Sequence, residues 1–420
     1  MGRDRENAER GKLIDRKGCR PTDPMRIVAP VLFALLVFID SHVRANIIGD
    51  LAGLGGDSGK LAKLEFRLKE SFYVTAVAWS PNGRFIAISS TQRRLVHIWD
   101  VKTREVIKEV ILGSAVPYYH DVSWSPDSRF VAFCDGPGSI LRIYDSRDWS
   151  LAHTIGPEHA QGCEHVAFSS DGKQLAVLAT NLFIASVGDW KPIKESRLHK
   201  GWGLAHEFHA VEYLPYTHTI LLGGWQFHNV STTAKYEGRA AGHVWFLLED
   251  ETEPHRDIQA YSTEDRGGGG VSTLAVAPDG TQIAAGTDTG SGTVATGMVT
   301  QSVRMFDVTS GKLLGAPLDG NLNFGVQTGL AYSADGRFLL VGHEEERTET
   351  IHIIDANSHT VVDVVHGSGS IYDIAADPSG PRFAAATGRE VIVWSVSGQR
   401  EGRNHSVRQV PITMGVPHGV

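Results

Sequence analysis

The chain has 420 residues, 41% of them hydrophobic and 21% charged, with a formal net charge of -8. This length and apolar content describe a globular protein with ample material for a core, and exclude a largely disordered chain. No run of Lys and Arg marks a basic face, so nucleic acid is not an expected partner.

Residues 1–24 are charged and lack hydrophobic periodicity, as a disordered leader does. An apolar run from Ile27 to Ile39 follows, preceded by Arg26. It is shorter than the roughly 20 residues that span a bilayer, and it fits the apolar region of a secretory signal. Val43 and Ala45 match the small-residue cleavage pattern, which puts the mature start at Asn46 and the product in the periplasm or outside the cell. A translation start at Met25 would bring the signal to the N-terminus. Two alternatives stay open: an uncleaved membrane anchor over 25–45, and a buried segment of a cytoplasmic protein. Membrane contact is expected only through this segment, if it stays uncleaved. Residues 46–59 read as a linker.

One pattern then recurs seven times between residues 60 and 397. Its copies include VTAVAWSPNGRFIAISS from Val74, HDVSWSPDSRFVAF from His120, EHVAFSSDGKQLAVL from Glu164 and HAVEYLPYTHTILLG from His209. STLAVAPDGTQIAAG from Ser272, TGLAYSADGRFLLVG from Thr328 and YDIAADPSGPRFAAA from Tyr372 complete the set. The turn residues Pro81, Pro126, Ser170, Pro215, Pro278, Ala334 and Pro378 are spaced by 45, 44, 45, 63, 56 and 44 residues. A period near 45 is that of a four-stranded propeller blade. Each copy runs from an apolar strand through a tight turn into a second apolar strand, then a third such as VHIWD, then a more polar fourth. In the turn, Asn or Asp bonds locally and Gly takes a positive φ. The fold class is therefore all-β, a seven-bladed β-propeller of four-stranded antiparallel blades. The tail, 398–420, lies beyond it.

The ends of the third strands, Trp99-Asp100, Tyr144-Asp145, Phe306-Asp307 and Ile354-Asp355, resemble those of the WD40 (WD-repeat) family. The resemblance covers about residues 60–397, with divergent copies that lack the Gly-His dipeptide. The family's His–Asp network is therefore not expected here. The resemblance implies a non-enzymatic scaffold that binds a protein or peptide. It also leaves an alternative: some similar propellers, quinoprotein dehydrogenase-like and lactonase-like, are enzymes or redox proteins with a metal or cofactor at the channel mouth. The last copy lacks a fourth strand directly after Trp394. AKLEFRLK, residues 62–69, is the expected closing strand, with Ser406–Ile412 as the competitor.

Strand order puts the loop between second and third strands on the same face as the link to the next blade. This is called the upper face, and the tight turns lie on the lower one. The two long intervals fall on the upper face, at 225–242 and 287–300. Long loops on a rigid scaffold often carry function, and aromatic residues often anchor interfaces. Trp225, Phe227, His228 and Tyr236 are the candidate partner-binding residues; tolerated drift in a loop is the plainer explanation.

The residue six before each turn is Thr75, His120, Glu164, His209, Ser272, Thr328 or Tyr372, a candidate ring at the upper channel mouth. His120, Glu164 and His209 are ligand types that zinc, iron or another divalent metal takes, although a water-filled polar rim needs no ligand. No cofactor is otherwise expected. Within LAHEFHAVEYLP (204–215), strand alternation sends His206 and His209 to opposite sides and leaves Glu207 beside His209. No GxSxG or HExxH pattern is present. GGGG at 267–270 reads as a flexible link. Cys134 and Cys163 should both lie toward the upper face in adjacent blades. In an exported chain they are candidates for a disulfide, with two buried thiols as the alternative.

Overall fold

The computed structural model describes residues 60–397, apart from 91–92, 94, 113–120, 136–139, 161–162, 164, 180, 197–205, 228–239, 263–269, 288–298, 323–328, 346–347 and 368–370. The chain divides into two units, Met1–Gly55 and Gly56–Val420, and every described residue belongs to the second. The leader, the signal-like segment, the linker and the tail lie outside the described residues.

Seven antiparallel sheets form a propeller. Blade one runs from Ala76–Trp79 at the centre through Phe85–Ser90 and Leu95–Asp100 to Glu105–Ile111 at the rim. Blades two to six repeat this order, with innermost strands Val122–Trp124, His165–Phe168, His206–Tyr213, Val271–Val276 and Leu330–Tyr332. Innermost strands of neighbouring blades pack side by side around the whole ring, and that of blade seven, Ile371–Ala376, meets blade one.

Blade seven shows how the ring closes. Its strand Arg382–Val396 turns back at Gly388, which takes a positive φ of 71°. The returning half brings Val396 N–H to the carbonyl of Pro381 at 2.7 Å and lays Trp394 against Phe383. The N-terminal strand Ala62–Val74 then pairs with this half, from Ala62 opposite Val396 to Lys69 opposite Glu390. The expected closing strand thus occupies the outer position, and the competing 406–412 segment lies outside the described residues. Closure leaves no unpaired inner edge.

The turns follow from short-range chemistry. Ser80 Oγ accepts the N–H of Phe85 and donates to Asn82 Oδ1, while Gly83 takes a φ of 68°. Ser125 with Asp127, Ser169 with Asp171 and Ser333 with Asp335 repeat the device. The Asp ending a third strand is used locally. Asp100 Oδ1 accepts the N–H groups of Lys102 and Thr103, letting Arg104 reach a φ of 58°. Asp145, Asp307 and Asp355 cap their turns likewise. In blade three the third strand ends at Ser186, whose Oγ bonds to Asp189 in the turn that follows.

Second strands such as Phe85–Ser90 are buried throughout, because blades cover both their faces. The rim strand Glu105–Ile111 is mostly exposed. Apolar clusters lie between blades. One joins Phe85 and Ile98 of blade one to Trp124 and Phe133 of blade two.

Candidate functional site: the upper face and channel mouth

The long second and third strands of blade four, Ile220–Phe227 and Ala240–Leu247, rise together toward the upper face. They pair up to Phe227 opposite Ala240, so Trp225, Gln226 and Phe227 belong to the sheet and not to a loop. His228 and Tyr236 lie outside the described residues, as does most of the 287–300 interval. In blade five it is the third and fourth strands that are extended, with Val299 pairing to Leu322.

Trp225 is half-buried, and its ring lies 4.4 Å from that of His209. On its other side is Gly270. A Cβ at Gly270 would come within 1.8 Å of Trp225 Cε3, so only glycine leaves room for the indole. The last glycine of the run read as a flexible link therefore makes a seat between blades four and five.

His209 is set by a β-bulge between Phe208 and Ala210. Phe208, Val211 and Tyr213 pack in one cluster, while Ala210 belongs to the next. The extra bulge residue therefore resets the two-residue alternation between Phe208 and Val211. Similar bulges fall at Ser272 and Tyr372, so three blades break register at the same point in the repeat.

The predicted ring is described at four of its seven positions, because His120, Glu164 and Thr328 lie outside the described residues. Thr75 and His209 are half-buried. Tyr372 packs on the cluster of Val77 and Trp79 in blade one. Ser272 is 1% exposed, which removes it from any solvent-facing ring. Among the described residues no group of three His, Cys, Asp or Glu side chains is placed to hold a metal ion.

One position further along lies a feature that the sequence reading passed over. Asp121 of blade two accepts its neighbour Val122 N–H on Oδ1 and, on Oδ2, the N–H of Val166 in blade three. Asp373 of blade seven does the same for Ile374 and for Val77 of blade one, at 2.8 and 2.9 Å. Each carboxylate pins an innermost strand to its neighbour. His165 Nδ1 stands 3.5 Å from Asp121. Burial pushes the Asp373 carboxyl up to about 7, with the charge of Asp121 adding to it, against the pull of the Val77 amide. Glu212 of blade four is pushed up to about 8, by burial first and then by Asp121. Asp recurring five residues before the turn, at 121 and 373, was the available signal.

Cys134, ending the second strand of blade two, and Cys163, just before blade three, are joined by a disulfide with Cα atoms 5.4 Å apart. It ties the two blades together near the upper face.

The family model for the WD40 repeat (WD domain, G-beta repeat) matches residues 63–100. That span is the closing strand of blade seven followed by three strands of blade one. No curated protein matches the chain.

Proposed function

We propose, taking as premise a WD40-repeat chain folded as a seven-bladed propeller, that the protein is a non-enzymatic scaffold. It binds a protein or peptide partner through its upper face. The WD40 propeller is commonly used as a protein-binding scaffold and is usually non-catalytic. Fold alone does not assign function, so the reading rests on a site. The observation that carries it is Trp225, fixed at the upper edge of blade four by His209 and the seat at Gly270. A half-buried indole held in one orientation loses little freedom on binding, and Trp is enriched among residues that dominate interfaces. Phe227, two residues on in the same strand, is proposed to act with it, together with His228 and Tyr236 of the sequence that follows.

Export through residues 25–45 is proposed alongside. The signal-like composition supports it, and so does the Cys134–Cys163 disulfide, since such bonds persist in oxidising compartments.

The test is capture from extracts of the native host with the mature chain as bait, followed by binding of the purified captured protein. Trp225→Ala with Phe227→Ala should reduce that binding at least tenfold. Unchanged binding would overturn the placement. Elemental analysis of untagged protein addresses the enzyme alternative: stoichiometric metal, lost in His209→Ala, would favour it.

A further inference from the structure

The lower face carries a second feature, on the side of the molecule opposite Trp225. Where blade seven meets blade one, a groove of about 680 Å³ opens among Lys63, Arg84, Lys102, Arg104 and Arg382, with Glu65 as its one lining carboxylate. Ring closure builds it. Lys63 comes from the N-terminal strand, Arg84 and Lys102 from two turns of blade one, and Arg382 from the far end of the chain. In a chain of net charge -8, this concentration of cations is local.

The five cations are not equally engaged. Arg84 Nε lies 3.3 Å from Asp100, and Arg382 Nε donates to Asp377 at 2.8 Å. Arg104 stacks on Phe66, 4.7 Å from the ring centre, and Arg382 on Trp79. Among the described residues no carboxylate pairs with Lys63, Lys102 or Arg104. Lys63 and Lys102 are exposed. The groove therefore has a stacked guanidinium wall, held in place by buried aromatic rings, and two free ammonium groups at its opening.

We propose that this groove binds an acidic, Asp/Glu-rich peptide segment of a partner protein. Charge complementarity is the main argument. Lys63, Lys102 and Arg104 line one groove with no carboxylate partner among the described residues, and the Arg104 guanidinium fork matches carboxylate geometry. The C-terminal tail does not have the charge of such a ligand. Residues 398–420 carry Arg400, Arg403 and Arg408 against the single carboxylate of Glu401. Nucleic acid suits the groove less well. Its aromatic rings lie buried under guanidinium groups rather than open for base stacking.

The test uses a fluorescein-labelled, end-blocked peptide of alternating Asp and Glu, six residues long, in anisotropy titrations at low salt. Saturable binding is expected, weakening steeply as salt is raised. Lys63→Glu with Lys102→Glu should weaken it at least tenfold, while Lys312→Glu on blade five should leave it unchanged. Carbodiimide coupling of the bound peptide should map to Lys63 or Lys102. Both substitutions are on exposed side chains, and an unchanged thermal melt verifies the fold. Three results would overturn the proposal: no saturable binding, binding indifferent to the double substitution, or tighter binding of a hexamer of deoxythymidine. None of these bears on the upper-face site.

Discussion

Asp363, on the outer strand of blade six, accepts the backbone N–H of Leu61 on Oδ2 at 2.6 Å. The same carboxylate takes the N–H groups of Lys60 and Ala62, so one side chain pins the start of the closing strand to the neighbouring blade. Burial alone would raise the Asp363 carboxyl. The amides of Leu61, Ala62 and Lys60 outweigh it, and the net effect is to lower it.

A carboxyl held low in the folded state stabilises the fold above its unfolded value, and that contribution is lost as pH falls through the folded value. Asp363→Ala should therefore cost about 2–3 kcal/mol at pH 7, the scale of hydrogen bonds to a charged group. The cost should shrink below pH 4. Denaturant unfolding across pH measures this, and amide exchange should quicken at Leu61 and Ala62.

A second seam works in the opposite sense. His97 of blade one bonds to Glu70 of the closing strand through Nδ1 and to Glu109 through Nε2, both at 3.0 Å. Burial lowers the imidazole, but the two carboxylates raise it further, and the net shift is upward. The stabilisation is complete below about pH 6.5 and fades as pH rises through the folded value. His97→Gln should remove about 1 kcal/mol at pH 5.5, the scale of a net hydrogen bond, and much less at pH 9. A stability difference that did not change with pH would contradict this.

Glu212 should act as a liability. Its carboxyl is raised to about 8 in the fold, so ionisation opposes folding once pH exceeds the unfolded value near 4.5, and increasingly so up to about 8. Glu212→Gln is expected to stabilise the protein by about 1–2 kcal/mol at pH 8 and to change little at pH 4. Thermal melts at the two pH values measure it.

Gly270→Ala should act at a distance. The added methyl meets the indole of Trp225, so partner binding should weaken although Gly270 itself need not touch the partner. If binding is retained while the fold is intact, the seat does not matter.

Cys134 and Cys163 should be silent to thiol reagents in denatured, unreduced protein. A mature chain beginning at Asn46 excludes Cys19 and should show no titratable thiol. Two would contradict the disulfide. Reduction should cost about 2–4 kcal/mol.

The blade count, the closing strand and the upper-face position of the two long intervals were legible in the sequence, because they depend on periodicity and turn chemistry; that Trp225–Phe227 continue a strand was not. Pro81-Asn82-Gly83 and its repeats announce their turns locally. What escaped depends on register or on distant pairing. The bulge at His209 resets a two-residue alternation that the sequence alone shows as unbroken. Gly270 looks like slack until Trp225 is seen against it. The basic groove draws on Lys63, Arg84 and Arg382, so no stretch of sequence reads as a cluster. Asp121 and Asp373 had a shared repeat position, but their role shows only when the next blade's amide is in place.

The most direct measurement of the central claim is a hydrogen-exchange footprint of the purified captured partner on the full propeller. The account predicts protection at the upper ends of Ile220–Phe227 and Ala240–Leu247, lost in Trp225→Ala. Protection confined to the lower face or the rim strands, with the ends of those two strands exchanging as in the free protein, would contradict it.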